Sequence, residues 1–193
     1  MLTYVNLSGQ RFLEAARLVL KAEGMRAITM RAVAVSAGTT ATAIYRHFAD
    51  KGELLDALHR LVFDDFKSRI SAVSPEMGAR EALLMGLDIY CEFGLEQPAE
   101  FEFLFIEPHG IRTSRYPEDF KRVRSSTFAI LVSCVNACQE KGLIAPGDPI
   151  EVALSLDAQA LGLMMLYRSD RFGDNAESFR HFYHRTFERQ IGG

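Results

Sequence analysis

Between Thr40 and Phe48 the chain reads Thr-Ala-Thr-Ala-Ile-Tyr-Arg-His-Phe. Ile44 and Phe48 are spaced for the inner face of a short helix, which leaves Ala41, Thr42, Tyr45 and Arg46 on the outer face. Threonine hydroxyls, a guanidinium and small methyl-bearing side chains are groups that can meet base edges in a major groove. Thr40 stands at the N-cap, where backbone N–H groups suit a phosphate. The chain has no Gly-x-Ser-x-Gly elbow, no His-Glu-x-x-His helix, no P-loop and no Gly-x-Gly-x-x-Gly turn after a strand. No catalytic residue, cofactor or metal is therefore expected, and the chain does not read as an enzyme.

Such a face needs a scaffold that holds it outward, and the flanking sequence supplies one. Phe12, Ala15, Ala16 and Val19 fall at helical spacing before Gly24, a C-cap glycine. Thr29 is the N-cap of a second helix whose inner stripe is Met30, Val33, Ala34 and Ala37, ending at Gly38. Ala34 and Ala37 are small enough for two helices to approach, and Gly38 is expected because a Cβ would clash in so tight a reversal. Asp50 caps a fourth helix with Glu53 as its capping-box partner, backed by Leu54, Leu55, Leu58, Leu61 and Val62. Two short helices joined through a glycine turn have the layout of a helix-turn-helix. Arg31 is an exposed helical arginine on the first of them.

In residues 12–55 several motifs stand in register: Phe12-Leu-Glu-Ala-Ala-Arg, Gly24, Thr29-Met-Arg-Ala-Val-Ala, Ala37-Gly38, Ile44-Tyr-Arg-His-Phe48 and Lys51-Gly-Glu-Leu-Leu55. This segment resembles the DNA-binding domain of the TetR family of transcriptional regulators. The resemblance implies that Tyr45, His47 and Lys51 touch DNA phosphates. It also implies a homodimer built largely from the last two helices, a ligand cavity in a C-terminal bundle, and repression relieved by a small molecule. The chain departs from the family pattern at Thr39, where an apolar residue is usual, at Ala41, where lysine, arginine or proline is common, and at Val35, usually polar. With Ala41, Thr42 and Ala43 all small, base readout leans on thymine methyls and threonine hydroxyls. The candidate DNA contacts are Thr29, Arg31, Thr39, Thr40, Ala41, Thr42, Tyr45, Arg46, His47 and Lys51.

The whole chain has 193 residues and a net charge of −3, which taken alone argues against a nucleic-acid partner. Split after Leu55, it becomes a basic module of +3 on an acidic body of −6. A hydrophobic content of 48% and a charged content of 24% are ordinary for a globular protein and exclude a disordered or low-complexity chain. No apolar stretch is expected to reach the ~18 residues of a membrane span, no signal peptide is visible, and three cysteines suit a reducing compartment. A cytoplasmic protein with no membrane partner is expected.

The fold class is all-α, with about nine helices: a helix-turn-helix domain over residues 1–52 and a ligand-binding and dimerisation bundle over 53–193. Further helices are expected at roughly 76–95, 98–106, 116–141, 149–170 and 174–190, separated by prolines. The helix after Pro149 is apolar almost all round, so burial on more than one side is expected. Aromatic and methionine residues mark a candidate pocket for an apolar or aromatic effector: Met85, Phe93, Phe101, Phe105, Phe128, Met164 and Met165. Glu177, His181, His184 and Glu188 share a helix face, where a wet surface or a dimer seam competes with metal binding. Cys134 and Cys138 share another, as buried thiols or a redox pair. The partners implied are double-stranded operator DNA, a small-molecule effector and a second copy of the chain. The alternatives are a dimeric interaction module without DNA binding, or activation rather than repression by the ligand.

Overall fold

The computed structural model describes residues 7–74, 76–107, 117–118, 126–173 and 175–192. The opening turns of the helix expected from 116, the break at Pro75 and the basic residues Arg112, Arg115, Lys121, Arg122 and Arg124 lie outside the described residues. The described residues form nine α-helices and no strand. They are α1 (Leu7–Glu23), α2 (Met30–Ser36), α3 (Ala41–Ile44), α4 (Lys51–Ile70), α5 (Ala79–Glu96), α6 (Pro98–Phe105), α7 (Ser126–Glu140), α8 (Pro149–Arg168) and α9 (Ala176–Glu188), with a single 3₁₀ turn at Met25–Ala27.

The helix boundaries follow from local chemistry. Thr29 Oγ1 accepts from the Ala32 N–H at 3.0 Å, and Asp148 and Asn175 accept from Ile150 and Ser178 at 2.9 and 2.8 Å. At the start of α4, Asp50 Oδ1 accepts from the Glu53 N–H at 2.9 Å. Glu53 reaches back to the Ala49 N–H at 2.7 Å, one residue further than the usual capping box. Gly24 holds φ +80, a left-handed conformation that other residues enter only with strain.

The chain divides into two compact units. The first comprises Met1–Asp65 and Gln97–Arg112, and so includes α1, α2, α3, most of α4, and α6. Its core is Phe12, Ala16, Leu20, Ile28, Val33, Ile44, Phe48, Leu54 and Leu58 with Phe101 and Phe103. Leu55 and Leu61, expected on the inner stripe of α4, are only half-buried, because the stripe runs through Leu54, Ala57, Leu58 and Val62. One charged side chain is fully buried among the described residues: Glu100, on α6. Arg17 of α1 donates from Nε to its Oε1 at 2.5 Å and pairs through Nη2 with Asp65 of α4, while Lys21 stands 3.5 Å from the same carboxylate. The hydrogen bond to Glu100, then that to Asp65, raises the Arg17 pKa further above its ordinary range, against the opposing effect of burial.

The second unit comprises Phe66–Glu96 and Thr113–Gly193. Here α5 packs against α7, α8 and α9, around Leu83, Leu87, Phe93, Val135, Leu156, Met164, Phe179 and Phe187. Arg80 donates to the Ile191 carbonyl at 2.9 Å and the Gly192 N–H to Leu143 at 2.7 Å, which ties the last residues to α5 and to the end of α7. Cys91 and Cys138 are buried free thiols, and Cys138 donates to the Ala79 carbonyl at 3.2 Å. Burial pushes the Cys91 thiol up to about 12 and raises Cys134 and Cys138, so none is a ready thiolate.

Helix α8 differs from expectation. In the single chain it buries one stripe, Ala153, Leu156, Ala160 and Met164, and leaves Met165 and Leu166 exposed. At 20 residues it is long and apolar enough by composition to cross a membrane, although charged residues interrupt its apolar run. Its buried stripe packs on α5 and α7 as that of a core helix does.

Candidate nucleic-acid interface

The turn between α2 and α3 is built from backbone hydrogen bonds: Ala37 N–H to Val33, Gly38 N–H to Val35 and Thr39 N–H to Ala34, each at 2.9 Å. Gly38 sits at φ +64, and an added Cβ would meet its nearest neighbour, Arg11 Nη2, at an ordinary 3.4 Å. The glycine is therefore required by the left-handed backbone rather than by a clash. Thr40 is extended and makes no side-chain cap to α3.

Behind α3, Ile44 and Phe48 are buried, as their spacing indicated. In front, Ala41, Thr42, Tyr45 and Arg46 are exposed, Tyr45 to 55%. Thr29, Arg31, Thr40 and Lys51 are exposed as well, and Thr39 is half-buried in the turn. His47 is half-buried, its ring 5.4 Å from that of Phe12, so α1 supports it from behind. Val35 is 69% exposed at its position on α2. Sequence reasoning passed over Arg11, which α1 lays against the Gly38 turn. Its only sequence signal is that it directly precedes Phe12.

Arg17, Arg69, Arg80 and Arg180 are committed to carboxylates. Arg11, Arg31, Arg46 and Lys51 make no ion pair among the described residues and are exposed. The two acids nearest Lys51 are held in the α4 cap. The face around α3 thus carries basic side chains that make no ion pair among the described residues.

The family comparison decides what this face belongs to. Residues 12–58 match the family model for bacterial regulatory proteins of the tetR family, and residues 84–190 match that for the tetracyclin repressor-like C-terminal domain. The chain belongs to the TetR family of transcriptional regulators. Among solved structures, a bacterial regulatory protein of the tetR family from Rhodococcus RHA1 is 22% identical over 97% of this chain and 98% of its own, with a TM-score of 0.70. AibR, solved in complex with isovaleryl coenzyme A and operator DNA, is 19% identical over 92% and 95%, with a TM-score of 0.68. The fatty acid degradation regulator FadR from Bacillus halodurans is 14% identical over 95% of both chains, with a TM-score of 0.71. No curated protein matches the chain.

The residues expected to line an effector pocket fall in both units of this TetR-family chain. Phe101 is buried and Phe105 half-buried on α6, their rings 5.1 Å apart in the first unit. In the second, Phe93 and Met164 are fully buried, Phe128 is half-buried and Met165 is 43% exposed. Met85 lines an open groove of about 810 Å³ with Met77, Leu84 and Ile89. A second groove, of about 760 Å³, runs between α5 and α9 past Cys91, Glu92, Arg180 and Phe182. Both grooves share the pair formed by His184 Nδ1 and Asp88 at 2.8 Å. Burial raises the Asp88 carboxyl above the ordinary carboxylate range, against the pull of His184. Among the described residues no group of three or more His, Cys, Asp and Glu is placed to hold a metal, and Glu188 stands 3.5 Å from Arg80.

Two polar groups of the second unit escaped sequence reasoning. Asp157, half-buried on α8, is pushed up to about 6 by burial alone. Tyr183 is fully buried on α9, and its hydroxyl has no hydrogen-bond partner among the described residues. Because the folded-state value for Asp157 lies above the unfolded one, its contribution to stability is complete below about pH 4. It is lost as pH rises through about 6. Thermal melting between pH 4 and pH 7 should show wild type losing stability relative to Asp157→Asn as pH rises, and parallel curves would exclude a buried carboxyl.

Proposed function

We propose that the chain is a homodimeric repressor that places α3 of each copy in the major groove of operator DNA and is released by a small-molecule effector bound in its second unit. The observation that carries this reading is the unpaired positive charge of Arg11, Arg31, Arg46 and Lys51 around the exposed face of α3. Tyr45, His47 and Lys51 are assigned to phosphates, and Thr29, Arg31, Thr39 and Thr40 to the groove edge. Ala41, Thr42 and Arg46 are assigned to base edges, with methyl and hydroxyl contacts prominent. No catalytic role is assigned to any residue, and a cytoplasmic protein fits this role.

The dimer reading rests on α8 and α9. The outer face of α8 carries Ser155, Ala158, Gly162, Met165 and Leu166, and Phe182 projects from α9 with 43% exposure. Small residues flanked by apolar ones let two helices approach closely, and an isologous pairing buries both copies at once. Such a dimer presents two α3 helices to half-sites about 34–36 Å apart.

The effector is proposed to act on populations. It lowers DNA affinity only if it binds two arrangements of the dimer unequally, and operator DNA then lowers effector affinity by the same factor. The methionine-lined groove at Met85 supports an apolar body for the effector.

Titration of duplex DNA at several salt concentrations tests the DNA role. Lys51→Ala should weaken binding about equally for all sequences and flatten the slope of log K against log salt by ~0.9 for one phosphate. Thr42→Ala should change preference at one base position with little effect on the slope. An unchanged slope in Lys51→Ala would remove its phosphate role. For assembly, sedimentation at micromolar concentration should give twice the chain mass, and charging the seam with Gly162→Glu should give the single-chain mass. A wild type that sediments as one chain would contradict the dimer.

A further inference from the structure

Two cations of α1 converge on one buried carboxylate of α6. Glu100 is 0% exposed, Arg17 donates to it from Nε at 2.5 Å, and Lys21 Nζ stands 3.5 Å away. Through Nη2 the same guanidinium holds Asp65 of α4, so it spans three helices of the first unit. A buried ion pair is a poor source of net stability. Desolvation of both charges offsets most of their attraction, and apolar residues of similar size often serve as well. Its best-attested use is to fix register, because a slide or roll of either helix strands a charge away from water, whereas apolar side chains can repack.

The helix so fixed supports the α2–α3 turn with another flank. Arg11 and Phe12 lie within six residues of Arg17, about 9 Å or less along the axis, and α1 runs unbroken between them. Phe12 stands about 140° round the helix from Arg17 and sets its ring 5.4 Å from that of His47. Arg11 lies against Gly38, where an added Cβ would meet its Nη2 at 3.4 Å, and Ser36 of α2 donates to the Ala15 carbonyl at 3.5 Å. The buried residues of α1 next to Arg17 include Ala15 and Ala16, whose methyls form shallow ridges that resist sliding less than long side chains do. A roll of α1 therefore carries Phe12 and Arg11 together, and with Phe12 the support of His47. We infer that Arg17 and Glu100 are positioning residues for DNA binding: the buried pair fixes the roll and slide of α1, and so the placing of His47 and Arg11 beside α3. Neither residue is assigned a DNA contact. The inference rests on the DNA reading above and adds to it a determinant that lies off the α3 face.

The test compares full-length wild type with the double variant Arg17→Met/Glu100→Leu and with Glu100→Gln. The probe is a duplex that wild type selects from a random-sequence pool, titrated at several salt concentrations, with thermal melting of each protein alongside. The double variant strands no buried charge, since the side chains of Lys21 and Asp65 are 46% and 45% exposed. It should melt at or near the wild-type temperature. It should nevertheless bind the duplex about tenfold more weakly, because the face must be ordered on binding. The slope of log K against log salt should stay as in wild type, since every assigned phosphate contact is retained. Glu100→Gln keeps the shape of the side chain and serves should the double variant fail to fold; well below its melting temperature it should bind several-fold more weakly. Wild-type affinity in a folded double variant, or in Glu100→Gln, would reduce the pair to a structural role and overturn the proposal. Tighter binding would overturn it as well, because the pair would then hold an arrangement that DNA disfavours. A flattened slope would mean that Arg17 itself meets a phosphate, which also removes the positioning role. Wild type that selects no duplex removes the DNA reading and the positioning role with it, whereas selection by wild type with equal affinity in the variants removes the positioning role alone.

Discussion

Glu100 is a fully buried carboxylate, and a charge in that position is tolerated only when it is paired. Its partners come from α1, where Arg17 bonds it directly and Lys21 stands close by, and Arg17 in turn holds Asp65 of α4. One guanidinium therefore joins three helices. The consequences run outward from it. With α1 fixed, Phe12 is placed beneath His47, Arg11 against the Gly38 turn, and the inner face of α2 against α1. The exposed face of α3 is thus supported by a helix that the Arg17–Glu100 contact holds in place. Breaking such a pair leaves an uncompensated buried charge, which costs more than the intact pair contributes.

The clamp also explains why α6, which follows α5 after a single residue, belongs to the first unit. Two of the chain's crossings between units lie beside its members. Asp65 is the last first-unit residue of α4, and Glu100 lies three residues after the chain returns at Gln97.

Much of the first unit was legible in the sequence because its determinants are local. Thr29, Asp50 with Glu53, and the spacing of Ile44 and Phe48 act within a few residues, and each did what its type implies. Gly38 was placed correctly for a different reason, since its backbone angle and not its surroundings demands glycine. Glu100 was not legible: an acid in the first turn of a helix reads as an ordinary surface residue, and its partner lies 83 positions away. Asp157 and Tyr183 were hidden for a related reason, since packing between helices and not local sequence sets their burial. The all-round apolarity of α8 was read as burial on several sides, whereas the single chain buries one stripe. A sequence shows that a face is apolar without showing whether its own chain or another covers it. Aromatic composition likewise does not show that Phe93 on α5 and Phe101 and Phe105 on α6 belong to different units.

A buried charge holds α6 to the helices of the helix-turn-helix unit. Native-state hydrogen exchange of the full-length protein measures this directly, because amides that open together exchange with one free energy. The α6 amides should exchange with those of α1, and Glu100→Gln should loosen α6 and α1 together while α5 keeps its protection. Protection of α6 that tracks α5, unchanged by Glu100→Gln, would contradict it.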